Sequence, residues 1–142
     1  MAKQIYVNLP VKDLAKSTAF YEALGFKKNS TFSNEKASAM MWTDDIFVML
    51  LTRDFYQTFL KGKTIADTQA TNGVLLALTL DTKEAVQSFA DVAKQNGGDY
   101  YKIESGVPED MMFGYEVLDL DGNQWEPLWM NPDFNPQESS QA

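Results

Sequence analysis

Residues 4–9, QIYVNL, alternate Ile5, Val7 and Leu9 with other side chains, the two-residue period of a strand buried on one face. After Pro10, Asp13 stands where it can cap a helix over LAKSTAFYEAL (14–24), in which Phe20, Tyr21 and Leu24 recur at helical spacing. Gly25 supplies the stop. FKKNSTF (26–32), ASAMMW (37–42) and IFVMLLT (46–52) then predict three short strands, the last two flanked by the polar turns SNEK and TDD.

The apolar run GVLLALTL (73–80) starts the same order again. Thr82 caps KEAVQSFADVAKQ (83–95), with Ala85, Val86, Phe89 and Ala93 on one face, and NGG (96–98) ends it. DYYKIE, MMFGYEVLDL and NQWEPLWM predict three further strands. Both halves read βαβββ, and Thr82 follows Asp13 by 69 positions, so a duplicated module is the simplest account. The pattern divides the chain into a first module (1–52), a short helix and linker (53–72), a second module (73–130) and a tail (131–142) expected to be flexible. Together these make one α+β domain.

Composition narrows the function classes. At 142 residues with 44% hydrophobic content the chain can build a core without staples. A formal charge of −8 leaves no basic stripe to replace counterions on nucleic acid, and it disfavours anionic membranes. No apolar run approaches the roughly 20 residues that cross a bilayer, and MAKQIYVNLPVKD lacks the apolar core of a leader. A soluble cytoplasmic protein is expected. Cysteine is absent, which removes disulfides and thiolate chemistry. Histidine is absent too, which removes the commonest general base and metal ligand. Any catalysis must therefore use carboxylates, hydroxyls, Lys or Arg.

One carboxylate stands out. In NQWEPLWM, alternation sets Trp125 and Trp129 on one face and Glu126 with Leu128 on the other. Pro127 suits an edge or a bulge. Alternation leaves open whether Glu126 meets solvent or a cavity; in a cavity, desolvation would raise its pKa. Glu104, Glu109, Asp110, Asp44 and Asp45 read as solvated turn residues, and Glu116 as an outward-facing strand residue. Phe20 and Tyr21 read as packing residues.

YVNLPVKDLAKSTAFYEALGF (6–26) resembles the opening of the vicinal oxygen chelate superfamily, which includes glyoxalase I, bleomycin-resistance proteins and extradiol dioxygenases. LDLDGNQWE (118–126) resembles its closing aspartate–glycine turn and glutamate strand, and LLALTLDTKEAVQSFADVAKQNGGD extends the likeness over nearly all of 4–130. The chain is most similar to small bacterial proteins called predicted lactoylglutathione lyases. The resemblance implies two βαβββ modules curled into a cup-like mixed sheet, the glyoxalase/bleomycin-resistance fold, which commonly pairs as a homodimer. It also implies four metal positions, on the first and last strand of each module. Carried over one by one, these fall on Tyr6, Met49, Leu75 and Glu126.

That set is poor in ligands. Leu75 has no donor, Met49 has a soft thioether, and a phenol such as that of Tyr6 ordinarily titrates near about 10. No resident cofactor is therefore expected, and Glu126 with Tyr6 becomes the candidate pair for proton transfer or ligand anchoring. The remaining cup is expected to be apolar, drawn from Met40, Trp42, Phe47, Met49, Leu75, Met112, Phe113 and Trp129. The function implied is binding of a small, largely apolar or aromatic molecule. The alternative is a glyoxalase-like lyase or isomerase using a divalent metal, with a dioxygenase further removed.

Overall fold

A computed structural model of the protein describes residues 2–133; the remainder of the predicted tail lies outside the described residues. The chain runs β1 (Ile5–Val11), α1 (Leu14–Ala23), β2 (Lys27–Asn29), β3 (Ala37–Thr43), β4 (Ile46–Thr52) and α2 (Arg53–Gln57). It continues with β5 (Leu75–Thr79), α3 (Lys83–Gln95), β6 (Asp99–Tyr101), β7 (Met112–Gly114), β8 (Glu116–Leu118) and β9 (Gln124–Met130). Both predicted caps form: the Asp13 carboxylate accepts from the Lys16 amide, and the Thr82 hydroxyl accepts from the Ala85 amide. The expected strand over 26–32 stops at Asn29, because the Asn29 side chain accepts from the Thr31 amide and starts a 3-10 turn.

Two mixed sheets result. The first has the order β1-β4-β3-β2, with β1 parallel to β4. The second runs β5-β9-β8-β6, with β5 parallel to β9 and β7 continuing the line of β8 along β9. In each sheet the parallel pair is what the helical crossover between first strand and sheet requires. The fold is thus α+β, in two curled halves with no closed barrel.

A single core lies between the halves. Leu9, Val11, Met40, Val48 and Leu50 from the first sheet join Leu78, Val117 and Trp125 from the second, with Phe20, Tyr21, Phe89 and Ala90 from the helices. Trp42 sits where the β3–β4 register shifts and packs on Phe26 and, across the joint, on Phe89. Because strand side chains alternate, the opposite faces of both sheets point away from this shared core. One bears Tyr6, Asn8 and Met49, the other Leu75, Ala77 and Glu126.

The joint also has a polar lock. The Tyr21 hydroxyl donates to Asp119 (2.6 Å) and accepts from the Trp125 indole (2.9 Å), all of it buried. Asp119 further accepts from the Asn123 side chain and from the amides of Asp121 and Asn123. Beside it, Asp121 accepts from the Lys12 amide at 2.8 Å. The turn 119–123 is therefore more than hairpin chemistry, and Tyr21 is more than packing. Both join the two halves.

Candidate functional site

Gly114 pairs with Leu128 and Val117 with Trp125, a register that sets Glu116 directly across from Glu126. Tyr101 pairs with Glu116 on one side, and Ala77 with Glu126 on the other. Four strands thus carry the row Tyr101–Glu116–Glu126–Ala77 over the outer face of the second sheet. Residues 102–109 border, together with Glu116 and Glu126 of this row, an open cavity of about 440 Å³. Met112, Pro127 and Leu128 give it apolar walls, and Glu116 and Glu126 lie on its polar side.

Glu116 is only 6% exposed, which corrects its expected outward position. The bordering segment, invisible to a two-residue period, is the reason. The Gln124 amide bridges the row, donating to Glu116 (2.9 Å) and to the Tyr101 hydroxyl (3.1 Å). The facing Glu116 carboxyl, as a hydrogen-bonding neighbour first, then burial and the Glu116 charge, raise the Glu126 pKa above the ordinary carboxylate range. The upward direction anticipated for Glu126 therefore holds, but its main cause is a second carboxylate that the first reading assigned to solvent. The sequence did contain a signal. A hairpin centred on Asp121 pairs 116 with 126 by simple counting.

The other predicted site residues separate into two groups. Met112 lines the cavity beside Glu126. Leu75 shares its sheet face and is 52% exposed at the free edge. Phe113 and Trp129 face the other way, beneath the Lys83 ammonium at the start of α3. Tyr6, Phe47 and Met49 belong to the outer face of the first sheet, where Tyr6 stacks on Phe47 with ring centroids 4.5 Å apart. Met40 and Trp42 lie in the core. The anticipated Tyr6–Glu126 hydrogen bond is not made: the Tyr6 hydroxyl donates to Gln4 at 3.2 Å. The reason is topological, since the two halves meet through their helix-covered faces and turn these residues apart.

The four metal positions divide in the same way, Tyr6 and Met49 on one sheet and Leu75 and Glu126 on the other. Among the described residues, no three His, Cys, Asp or Glu side chains come together as a metal would require. The donors beside Glu126 amount to Glu116 and the Gln124 amide, too few for a hard divalent cation that takes six or more oxygens. The set does not fit a resident metal.

Residues 3–43 match the family described as bleomycin resistance protein-like N-terminal. Among solved structures, a hypothetical protein from S. aureus superposes with a TM-score of 0.72 at 27% identity, covering 91% of this chain and 94% of its own. A glyoxalase/bleomycin resistance protein/dioxygenase family enzyme from Burkholderia phytofirmans PsJN gives 0.71 at 21% identity, over 91% and 99% of the two chains. The fold is the one shared by glyoxalase/bleomycin resistance proteins. A bleomycin-binding protein complexed with bleomycin superposes at a TM-score of 0.59 with 20% identity, over 90% of this chain and 98% of that one. No curated protein matches the chain. Among the described residues, no helix is long and apolar enough to cross a membrane.

The raised carboxyls fix how stability should depend on pH. Asp119 is raised chiefly by burial, against four hydrogen bonds that lower it, and Glu126 is raised by Glu116. A carboxyl raised in the folded state holds a proton that the unfolded chain has already released, so the unfolded chain binds fewer protons in that interval. Its contribution to stability is complete below the unfolded value, near about 4, and is lost as pH rises through the folded value. Urea midpoints are expected to increase on going from pH 7 to the window just above the ordinary carboxylate range. Glu126→Gln should flatten that slope. An unchanged slope in the variant would remove Glu126 as a contributor.

Proposed function

We infer that this protein binds a small, largely apolar or aromatic molecule on the outer face of its second sheet, without a catalytic metal. The observation that carries the reading is the cavity bordered by 102–109, with apolar walls and the Glu116–Glu126 pair on one side. A volume near 440 Å³ suits a small organic ligand, as does a lining that sets apolar walls beside convergent polar groups. The binding of bleomycin by a protein of the same fold is in keeping with it. Metal independence is supported by the donor set described above.

The same reading includes a homodimer. Strands β1 and β5 end their sheets, and each hydrogen-bonds on one side only. Ile5, Tyr6, Val74 and Leu75 leave apolar surface exposed along these edges, with Tyr6 at 50%. Free, apolar edges favour pairing with another copy. A two-fold arrangement could set the Tyr6–Met49 face of one copy against the Leu75–Glu126 face of its partner, which one chain alone does not achieve. Native mass spectrometry of freshly purified protein tests both parts. Two chains carrying a releasable small molecule are expected. A bare 16.0 kDa monomer at tens of micromolar would contradict the reading. Stoichiometric nickel, zinc or manganese, lost in Glu126→Gln, would select a metal-dependent lyase instead.

A further inference from the structure

Burying two carboxyls opposite each other is costly, because directly facing like charges destabilise a sheet and desolvated charges need partners. Neither Glu116 nor Glu126 has a cationic partner among the described residues, whose side-chain ion pairs are Lys94–Asp99 and Lys102–Glu109. Glu116 is more than nine-tenths buried, is one of the residues that line the cavity, and has the neutral Gln124 amide as its hydrogen-bond donor. A neutral amide does not balance the charge of this row.

The rest of the lining repeats the imbalance. Glu104, Glu109, Glu116 and Glu126 face the cavity, against one cation, Lys102. That cation is already engaged: its ammonium lies 3.0 Å from Glu109 and 3.9 Å from the centre of the Phe113 ring. Across the row, Tyr101 and Gln124 add neutral polar groups only. An apolar-walled space that collects uncompensated negative charge at one end is complementary to a cation with an apolar body.

We propose that the cavity takes a ligand bearing a basic nitrogen, its ammonium seated between Glu116 and Glu126 and its hydrocarbon part against Met112, Pro127 and Leu128. This deepens the binding function inferred above and rests on it. An ammonium is better suited than a divalent metal because its three N–H donors need only a few acceptors, whereas a metal needs six or more oxygens. Charge-assisted hydrogen bonds to two carboxylates in a partly dry site are stronger than neutral ones. The cost of placing the two glutamates together is then offset when the ligand binds.

Three probes of one shape test this: 4-phenylbutylamine, 4-phenylbutanol and 4-phenylbutyrate, titrated into isotopically labelled protein and followed by amide chemical shifts. The amine is expected to bind at least tenfold tighter than the alcohol, with the carboxylate weakest, and to move resonances in 102–128. Glu116→Gln and, separately, Glu126→Gln should each remove most of the amine's advantage and leave the alcohol's affinity nearly unchanged. The alcohol also reports that each variant keeps its cavity. Equal affinity for amine and alcohol would overturn the cation assignment while the apolar binding function stands. Failure of all three probes to bind would count against the cavity as a ligand site altogether. Manganese that binds one-to-one and displaces the amine would overturn the proposal in favour of a metal.

Discussion

Tyr21→Phe is expected to lower the unfolding free energy by about 2–5 kcal/mol, although it removes a single oxygen. The ring itself would stay in place, held edge-on to Phe20 and Phe26 at 5.3 Å and to Trp125 at 6.0 Å. What disappears is an atom that donates to Asp119 and accepts from the Trp125 indole. Each loss matters because the site is buried. An indole N–H left without an acceptor costs about 1–3 kcal/mol, and a hydrogen bond to a charged group contributes about 1.5–3 kcal/mol. Burial, and then the Asp119 charge, raise the Tyr21 pKa well above that of a free phenol, so the hydroxyl remains a donor throughout the working pH range. Chemical denaturation checks the magnitude. A double-mutant cycle with Trp125→Phe should show strong non-additivity, because the second substitution removes the orphaned donor. A loss below about 1 kcal/mol would mean that the lock contributes little to holding the halves together.

Gly122→Ala should be comparably damaging, for a different reason. Gly122 has φ +86°, and a Cβ there would stand 2.5 Å from the Thr68 carbonyl oxygen. The left-handed conformation costs an L-residue about 1–2 kcal/mol, and forcing a methyl into a filled space costs about 1–3 kcal/mol more. Thr68 does not yield freely. Its hydroxyl donates to the Asp121 carbonyl, and the Gln69 amide donates to that of Leu120, which straps the linker onto this turn. Displacing the strap would disturb the amides that Asp119 accepts, and so the joint itself. Gly62 is the internal control, since it has φ +76° with nothing within 4 Å of an added Cβ. Gly62→Ala should show only the conformational part. If the two variants lose equal stability, the Thr68 contact is not what makes Gly122 necessary.

Much of this architecture is written in local pattern. Alternating Ile5, Val7 and Leu9, the caps Asp13 and Thr82, and the helix stops at Gly25 and Asn96–Gly98 depend on interactions spanning a few residues. Such interactions survive translation from sequence to structure because nothing distant competes with them. Excluding histidine and cysteine chemistry required only a count. The unusual setting of Glu126 was legible as well, since a lone carboxylate in an apolar strand conflicts with its surroundings.

The tertiary structure decided which faces meet. A two-residue period says that Glu126 and Trp125 oppose each other, and it is silent on which of the two faces a core, a cavity or another copy. Here the helix-covered faces of both sheets share one core, so Tyr6 and Glu126 are turned apart and Trp42, Phe113 and Trp129 leave the outer surface. Glu116 joins the candidate site through long-range neighbours, Glu126 across the hairpin and residues 102–109 along the same cavity, that a local pattern does not reveal. Tyr21 and Asp119, 98 positions apart, acquired their roles in the same way. The composition of a strand fixes what each of its faces can bury, whereas the partner that buries it is a long-range choice, made by how two whole modules pack.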